Sequence, residues 1–313
     1  MSFRNHPATA GDVLVLGETV IDIVDRDGVQ TEHVGGSPAN VAVSLARLGH
    51  RVRLVTDIGD DERGHRARAH FRESHVEVAS GETGRTPTAI ARIQADGSAE
   101  YTFDITWDPP VPELHRAAHV HTGSIAAFLS PGAETVRNFL ESLPFGVTSS
   151  LDPNIRPALI GSHAEALHTF ETLAAVCTVV KLSDEDARWL YPAADPTEVV
   201  DRLLEMGVRL AVVTRGGDGL LVASRLARLE VPAATIAVAD TIGSGDSAMG
   251  AIIDEVVRAG LESLTEASLR RIGTWAATVA GVTTSRAGAN PPWRRELLGD
   301  SGVGPSPDDP SNE

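Results

Sequence analysis

Thr178-Val179-Val180-Lys181-Leu182, a helical stretch over Pro196–Met206, and then Leu210-Ala211-Val212-Val213-Thr214 decide the fold. Two short apolar runs with a helix between them form a strand-helix-strand unit, and such units build parallel sheets. The same rhythm precedes it: a strand at His119–Gly123, a helix over Ala133–Leu143, a strand at Val147–Leu151 and a helix near Ala164–Ala175. At the other end of the chain, Val13-Leu14-Val15-Leu16 stops at Gly17 and is apolar at every position. Such a strand is buried on both faces, which requires helices above and below the sheet. Ser37 reads as an N-cap with Pro38 at the first helical position. Val41, Leu45 and Leu48 then repeat at helical spacing and Gly49 stands past the end. The strand Val52–Ile58 follows. The chain therefore reads as α/β, a three-layer α/β/α fold with a mostly parallel central sheet.

One region breaks the rhythm. Between Thr88 and Ile105 the pattern alternates, with Ala89, Ala91 and Ile93 against Ile90, Arg92 and Gln94, then Tyr101 and Phe103 against Thr102 and Asp104. Period two marks half-exposed antiparallel strands. Together with the mixed segment Val20–Val34 it forms a small β lid, drawn from about 19–34 and 86–107, on a main unit spanning 12–300. The last stretch, 301–313, is rich in Pro, Ser, Gly and acid and reads as a disordered tail.

The 313 residues carry 27 basic and 43 acidic side chains, a formal charge of −16. That balance argues against a broad nucleic-acid or anionic-membrane surface, so an anionic ligand needs a local, concentrated site. The single cysteine, Cys177, excludes internal disulfides and cysteine-based zinc sites and reads as a buried small hydrophobe. No stretch approaches a membrane span, and the start lacks the apolar core of a secretion signal. A cytoplasmic enzyme or binding protein is the expected class. His115, His119 and His121 have suggestive spacing but no adjoining carboxylate, and carry no metal site.

The chemistry concentrates in Ala239-Asp240-Thr241-Ile242-Gly243-Ser244-Gly245-Asp246-Ser247-Ala248-Met249-Gly250. It links an apolar segment to a helix with Met249, Ile252, Ile253 and Val256 on one face and Gly260 at its end. A glycine-rich turn that opens a helix lets backbone N–H groups converge on an anion, aided by the helix dipole. No Gly-Lys-Ser/Thr follows, so the turn is not a Walker loop, and Lys181 is the only lysine in the chain. The third glycine, Gly250, comes two residues too late for the dinucleotide fingerprint, which excludes a nicotinamide oxidoreductase reading. A carboxylate at Asp246 would repel bound phosphate. Its presence makes sense as a general base on an acceptor hydroxyl, the plainer alternative being a helix cap.

Asp240-Thr-Ile-Gly-Ser-Gly-Asp246 resembles the Asp-Thr-x-Gly-Ala-Gly-Asp signature of the ribokinase-like (PfkB) carbohydrate kinases. Gly17-Glu18 and Asp22 resemble the family's opening, Gly35-Gly36-Ser37-Pro38-Ala39-Asn40 its Gly-Gly-x-x-x-Asn stretch, and Gly59–Gly64 the signature that follows. Leu151-Asp152-Pro153-Asn154-Ile155-Arg156-Pro157 and Ser285–Pro292 are similar to the fructokinases within the family. The matches are ordered and span Gly17 to Pro292. Ser244 replaces the usual alanine, a small change. The family's Asn-x-x-Glu motif appears here as Ser183-Asp184-Glu185-Asp186, with Lys181-x-Ser183-x-Glu185 in the fructokinase-like form.

The resemblance implies ATP-dependent phosphorylation of a primary sugar hydroxyl, with fructose as the expected sugar and 2-keto-3-deoxygluconate as the nearest alternative. A silent sugar- or nucleotide-binding regulator on the same fold is the alternative from another class. By resemblance, Asp22, Gly35, Gly36 and Asn40 hold the sugar, joined by Asn154 and Arg156, which follow a strand where open α/β sheets place ligand groups. Asp246 takes the hydroxyl proton, and the N–H groups of Gly243, Ser244 and Gly245 stabilise the transferring phosphoryl. Lys181, Ser183, Thr214, Gly216, Gly219 and Asn290 are expected at the nucleotide. Mg²⁺ is reached through water by Glu185 or Asp186, a choice that the sequence leaves open. A potassium ion beside the anion loop is implied at Asp240, Ile242, Thr283 and Gly288. Sugar stereochemistry is expected to be read near Arg92, Tyr101 and Trp107, and a homodimer is expected to form through the lid.

Overall fold

The computed structural model describes residues 11–26, 28–81, 84–94 and 99–298. The expected tail at 301–313 and residues 95–98 of the lid segment lie outside the described residues. Strands β1 (Asp12–Leu16), β2 (Val20–Arg26) and β3 (Val29–Gly35) come first, then α1 (Ser37–Arg47), β4 (Arg51–Thr56), α2 (Glu62–Glu73) and β5 (Val76–Ser80). After β6 (Thr88–Ile93) and β7 (Ala99–Asp104) the alternation begins: β8 (His119–Gly123), α3 (Gly132–Glu141), β9 (Thr148–Asp152), α4 (His163–Val176) and β10 (Val179–Ser183). It continues through α5 (Asp184–Leu190), α6 (Pro196–Met206), β11 (Leu210–Thr214) and the hairpin β12 (Leu220–Ala223) and β13 (Arg228–Val231). Helices α7 (Ser244–Ala259), α8 (Glu266–Thr284) and α9 (Arg294–Leu297) close the chain.

The main sheet runs β13-β12-β11-β10-β9-β8-β1-β4-β5. From β11 to β5 neighbouring strands are parallel, and β12 and β13 add antiparallel at one edge. The apolar run of β1 serves two cores at once. Val13 and Val15 pack under α1, α7 and α8, while Leu14 and Leu16 pack with Val136, Phe170 and Leu203 on the opposite side. Those are the three expected layers. The chain leaves β1 toward β4 and β5 and later resumes at β8 on its other flank, so the strand order reverses at β1, where open α/β sheets bind ligands beyond the carboxyl ends of strands.

The two alternating segments form a second sheet, β3-β2-β6-β7, with β2 and β6 parallel and Asp22 opposite both His33 and Ala89. Its apolar residues are not confined to one face. Ile21, Ile23, Val34 and Ile90 pack toward the main body, whereas Asp22, Val24, Ala89, Ala91, Phe103 and Tyr101 share the other face by register. Of the three residues expected to read the sugar, only Tyr101 shares the face of Asp22. Arg92 alternates onto the opposite face, and Trp107 is buried in the core with its Nε1 donating to the Ala126 carbonyl at 3.1 Å.

Two helices carried no clear sequence signal for a physical reason. In α2 only Gly64, Ala67 and Phe71 are buried, too thin an apolar stripe to stand out among charges. In α8 glycines interrupt the stripe: a Cβ at Gly273 would meet the Val231 side chain at 2.6 Å, and one at Gly281 would meet Ala234 at 2.7 Å. The start of α1 also differs from expectation by one residue. Gly36 is the N-cap, in the left-handed region at φ 105°, where a Cβ would strike the Glu18 carbonyl at 2.4 Å. Ser37 becomes the first helical residue, and its hydroxyl is released from capping.

Helices α1 and α7 approach closely at Gly250. A Cβ there would lie 2.5 Å from Ser44 Oγ and 2.7 Å from Ser44 Cβ, and Ser44 is fully buried. Gly250→Ala would gain about 1 kcal/mol of helix propensity, but the Ser44 Cβ is fixed to the backbone and no rotamer change moves it away. The variant is expected to lose about 1–3 kcal/mol in denaturant unfolding, with Ser44→Gly recovering most of it; a Gly250→Ala protein as stable as wild type would refute the close contact.

Candidate active site

The first turn of α7 starts without a side-chain cap. Gly243, its N-cap, is left-handed at φ 72°, and a Cβ there would meet Ala289 at 2.6 Å. The Ser244 amide donates to the Thr241 carbonyl at 3.2 Å, and its hydroxyl accepts from Thr284 at 3.0 Å. Gly245 and Asp246 follow as second and third helical residues, whose N–H groups have no carbonyl four residues back within the helix. Asp246 does not cap its own helix. Its two oxygens accept from Ser37 Oγ at 2.6 Å and Asn40 Nδ2 at 2.8 Å, both on α1, and it is 7% exposed. Ser37 was read from sequence as a helix cap, so its place at this carboxylate was missed.

The lid sheet supplies the second wall. Asp22 lies directly against Gly35, where a Cβ would fall 2.0 Å from Asp22 Oδ2, so only glycine leaves room for the carboxylate. Partial desolvation raises the Asp22 carboxyl above its usual range, against the pull of Arg156 and His33. Arg156 donates to the carbonyl of Ile155 at 3.1 Å and lies within electrostatic reach of both Asp22 and Glu18. Asn154, just before it, holds a left-handed backbone at φ 35°, an uncommon state for a non-glycine residue. The strained turn is pinned from α5: Ile155 N–H donates to Asp186 Oδ1 at 2.8 Å. Glu18, quoted only as part of a motif, is a fully enclosed acid. Burial pushes its carboxyl up to about 7, offset in part by the N–H of Ala126, which donates to it at 2.9 Å, and by Ser124.

Beneath these walls lies a buried ion pair. Lys181 Nζ donates to Asp152 Oδ2 at 2.7 Å, and Lys181 is 4% exposed. The ammonium sits under the glycine turn, because a Cβ at Gly245 would be 3.2 Å from Nζ. The two acids of α5 part company here. Asp186 closes a capping box with Ser183 through Oδ2 while Oδ1 holds Ile155, whereas Glu185 stands exposed in the first turn.

The remaining expected residues fall into three places. Thr214 is the register partner of Ser183 at the ends of adjacent strands, and Gly216 and Gly219 follow it in the turn to β12. Gly219 is left-handed at φ 82° with the Val231 carbonyl 2.0 Å from where a Cβ would stand. Asp240 accepts from the N–H groups of Ile242 at 3.0 Å and Gly288 at 2.9 Å, which hold its carboxyl below the usual range. That clasp draws the segments 240–242 and 283–288 together beside Gly243, with Thr283 buried and donating to Ser247 at 2.8 Å. Asn290 is not brought to Asp246. Its Oδ1 accepts from Arg47 at 2.6 Å, at the far end of α1, about 10 Å along that helix from Asn40. His119 and His121 are buried and bonded to Thr148 and Ser150, and no metal-competent cluster occurs among the described residues.

The arrangement places a carboxylate, converging amides and an enclosed ammonium between two sheets, a geometry suited to group transfer onto a hydroxyl. Among the described residues no helix is long and apolar enough to cross a membrane. Fructokinase-1 of Zea mays is 31% identical over 311 residues, covering 91% of this chain and 96% of its own. A fructokinase of Xylella fastidiosa solved with bound ATP superposes with a TM-score of 0.78 at 25% identity, covering 92% of this chain and 98% of that one. A double mutant of the Vibrio cholerae O395 fructokinase, solved with fructose, ADP and a potassium ion, shares the fold with a TM-score of 0.77 at 22% identity, covering 91% and 95%. The family described as pfkB family carbohydrate kinase matches residues 10–295, nearly everything between the two ends of the chain, and it is to this family of sugar kinases that the protein belongs.

Proposed function

We propose that this protein transfers the γ-phosphoryl of ATP to a primary hydroxyl of fructose, in the cytoplasm where ATP is supplied. The observation that carries this reading is the carboxylate of Asp246, fixed by Ser37 and Asn40 at the mouth of an amide-lined turn. Both of its α1 partners are donors that fix the orientation of the carboxylate, and its remaining lone pairs are the acceptors available to a substrate hydroxyl. Asp22, on the open face of the lid sheet, accepts from sugar hydroxyls, and Asn40 keeps its amide oxygen for the same task. The hydroxyl oxygen forms a bond to the γ-phosphorus, the bond to the β-phosphate oxygen breaks, ADP leaves, and the proton passes to Asp246. Charge on the transferring group is met by the amides of Gly243 and Gly245, with that of Ser244 shared with the Thr241 carbonyl. Thr214, Gly216, Gly219 and Ser183 line the strand ends on which the nucleotide lies. Mg²⁺, when bound, would supply positive charge to offset that of the phosphates. Glu185 is the acid we assign to it through water, since both oxygens of Asp186 are engaged in holding Ile155 and Ser183. Carbonyl oxygens in the segments clasped by Asp240 offer the hard donors that a monovalent cation takes, as in the potassium-bound fold neighbour.

We further propose that two copies pair through the lid. The face bearing Asp22 also bears Val24, Phe103 and Tyr101, the last 63% exposed, with Val29 at the edge 68% exposed. An apolar face of this kind on a twofold pair would be covered by its own symmetry mate.

Three measurements test these readings. Asp246→Asn keeps shape and loses the proton acceptor, so kcat is expected to fall by about 10²–10⁴-fold with both ligands still bound; a drop of less than about tenfold would remove Asp246 as the base. Asp22→Ala is expected to raise the fructose KM by about 10- to 100-fold with the ATP KM nearly constant, in an ADP-release assay whose sugar panel includes 2-keto-3-deoxygluconate. ADP release with no sugar of the panel would favour a silent binder. Light scattering at micromolar concentration is expected to give a dimer, and a monomer would exclude the lid pairing.

A further inference from the structure

The Lys181–Asp152 pair stands beneath the first turn of the helix that carries the proposed base, which asks for a role beyond holding nucleotide. Lys181 on β10 and Asp152 on β9 are joined across adjacent parallel strands, and Lys181 shares the sheet face of Val179, which packs in the same core as α7. Asp152 Oδ1 is buried without a hydrogen-bond partner among the described residues. The pair stands under Gly245, one residue from Asp246. From α1, Asp246 meets the uncharged Ser37 and Asn40; from β10 it meets Lys181; from β9 and α5 come the acids Asp152 and Asp186, all within electrostatic reach of Lys181. Helix α8 brings two uncharged hydroxyls, Thr283 onto Ser247 and Thr284 onto Ser244.

We infer that Lys181 is a positioning residue for the base: its buried ammonium, oriented by Asp152, is the fixed counter-charge beneath the turn that holds the Asp246 carboxylate beside the phosphates. This rests on the reading of Asp246 as the base. Asp152 and Asp246 are both enclosed, and the ammonium of Lys181 is the positive charge that stands between β9 and that turn. Burial alone would strip Lys181 of its proton, yet Asp152 and, after it, Asp186 and Asp246 raise its pKa. Burial pushes Asp152 up to about 6 while Lys181 pulls it back. The ammonium is too enclosed to travel with a ligand, so its charge stays beneath the turn throughout the catalytic cycle. Lysine rather than arginine fits the geometry, since Nζ already stands 3.2 Å from where a Cβ on Gly245 would be.

The test follows kcat against pH at saturating fructose and ATP for wild type, Lys181→Met, Asp152→Asn and Asp246→Asn, with folding checked by circular dichroism. Lys181→Met is expected to move the acid limb up by about one pH unit and Asp152→Asn to move it down by about half a unit, with the ATP KM changed by less than about threefold in both. Loss of packing would not shift the two variants in opposite directions. If Lys181→Met leaves the limb in place and raises the ATP KM by about tenfold or more, Lys181 is a nucleotide contact and the inference falls. Should Lys181→Met fail to fold, Asp152→Asn decides alone, and an unmoved limb overturns the inference. Asp246→Asn reports separately: if it keeps near wild-type kcat, the base reading fails and this inference with it, whereas an inactive Asp246→Asn beside unshifted limbs overturns only the role of Lys181.

Discussion

Everything at the site depends on how closely α1 and α7 can lie together. Asp246 and Gly250 are one turn apart on α7, and Ser37, Asn40 and Ser44 are stacked along one face of α1, so the two rows meet as a seam. At Gly250 the seam has no side chain to separate the backbones, and one turn earlier the same closeness lets Ser37 and Asn40 reach Asp246 across more than two hundred residues of sequence. The seam is fixed further along as well. Asp254, fully buried on α7, accepts from His50 at 2.7 Å, Arg258 at 2.6 Å, Trp275 at 2.8 Å and Arg294 at 2.9 Å. Burial alone would raise this carboxyl, but those donors hold it below its usual range. One side chain thus ties the start of β4, α8 and α9 to the helix whose first turn carries Asp246.

The second dependence is the passage from the main sheet to the lid. Gly17 leaves β1 with Pro38 so near that a Cβ would lie 2.2 Å from its ring, and Gly36 passes the Glu18 carbonyl with as little room. Between these crossings Glu18 reaches back to the turn after β8, and Thr19 accepts from Thr56 at 2.9 Å. The lid is also held from outside by Glu32, which accepts from Arg63 and Arg66 on α2. The strand carrying Asp22 is therefore set by main-body contacts on both sides. Asp22 is placed by backbone sterics at Gly35 more than by any hydrogen bond of its own.

What could be read from sequence follows from what kind of constraint each residue obeys. Strands buried on both faces announce themselves, so β1, β8, β9, β10 and β11 were legible within a residue or two. So was Asp246, because a carboxylate in an anion-binding turn contradicts its surroundings and calls for a function. The choice between Glu185 and Asp186 was not legible. It turns on Asp186 closing a local capping box while also holding Ile155, a long-range contact that no spacing encodes. Ser37 was misplaced because serine before proline is a fair cap, and only the left-handed Gly36 takes that role from it. Trp107 seemed a ligand-reading aromatic by its place after the lid strands. Its indole is instead the filling of a core, pressed against Gly132, where a Cβ would lie 2.3 Å from the ring. Gly250 shows the opposite error of omission: read as a failed fingerprint glycine, it is the residue that lets two helices touch.

A chain with 16 excess negative charges that receives a polyanion needs a field that acts over one turn of helix and no further. Exposed charges are screened within about 10 Å in ordinary salt, so the acidic surface does little to a ligand in the cleft, and the cleft must make its own potential. It does so with few full charges. The first-turn amides of α7 act as a fixed positive end, Arg156 faces Asp22 and Glu18, and Lys181 lies enclosed below with Asp152. Amides bring no counter-ion and no rotamer freedom, and they remain where they are when a carboxylate sits in the same turn. An arginine in that turn would instead swing onto Asp246 and neutralise the carboxylate we propose as the base. The glycines of this segment serve the same end, since each missing side chain is space through which a backbone dipole reaches the ligand.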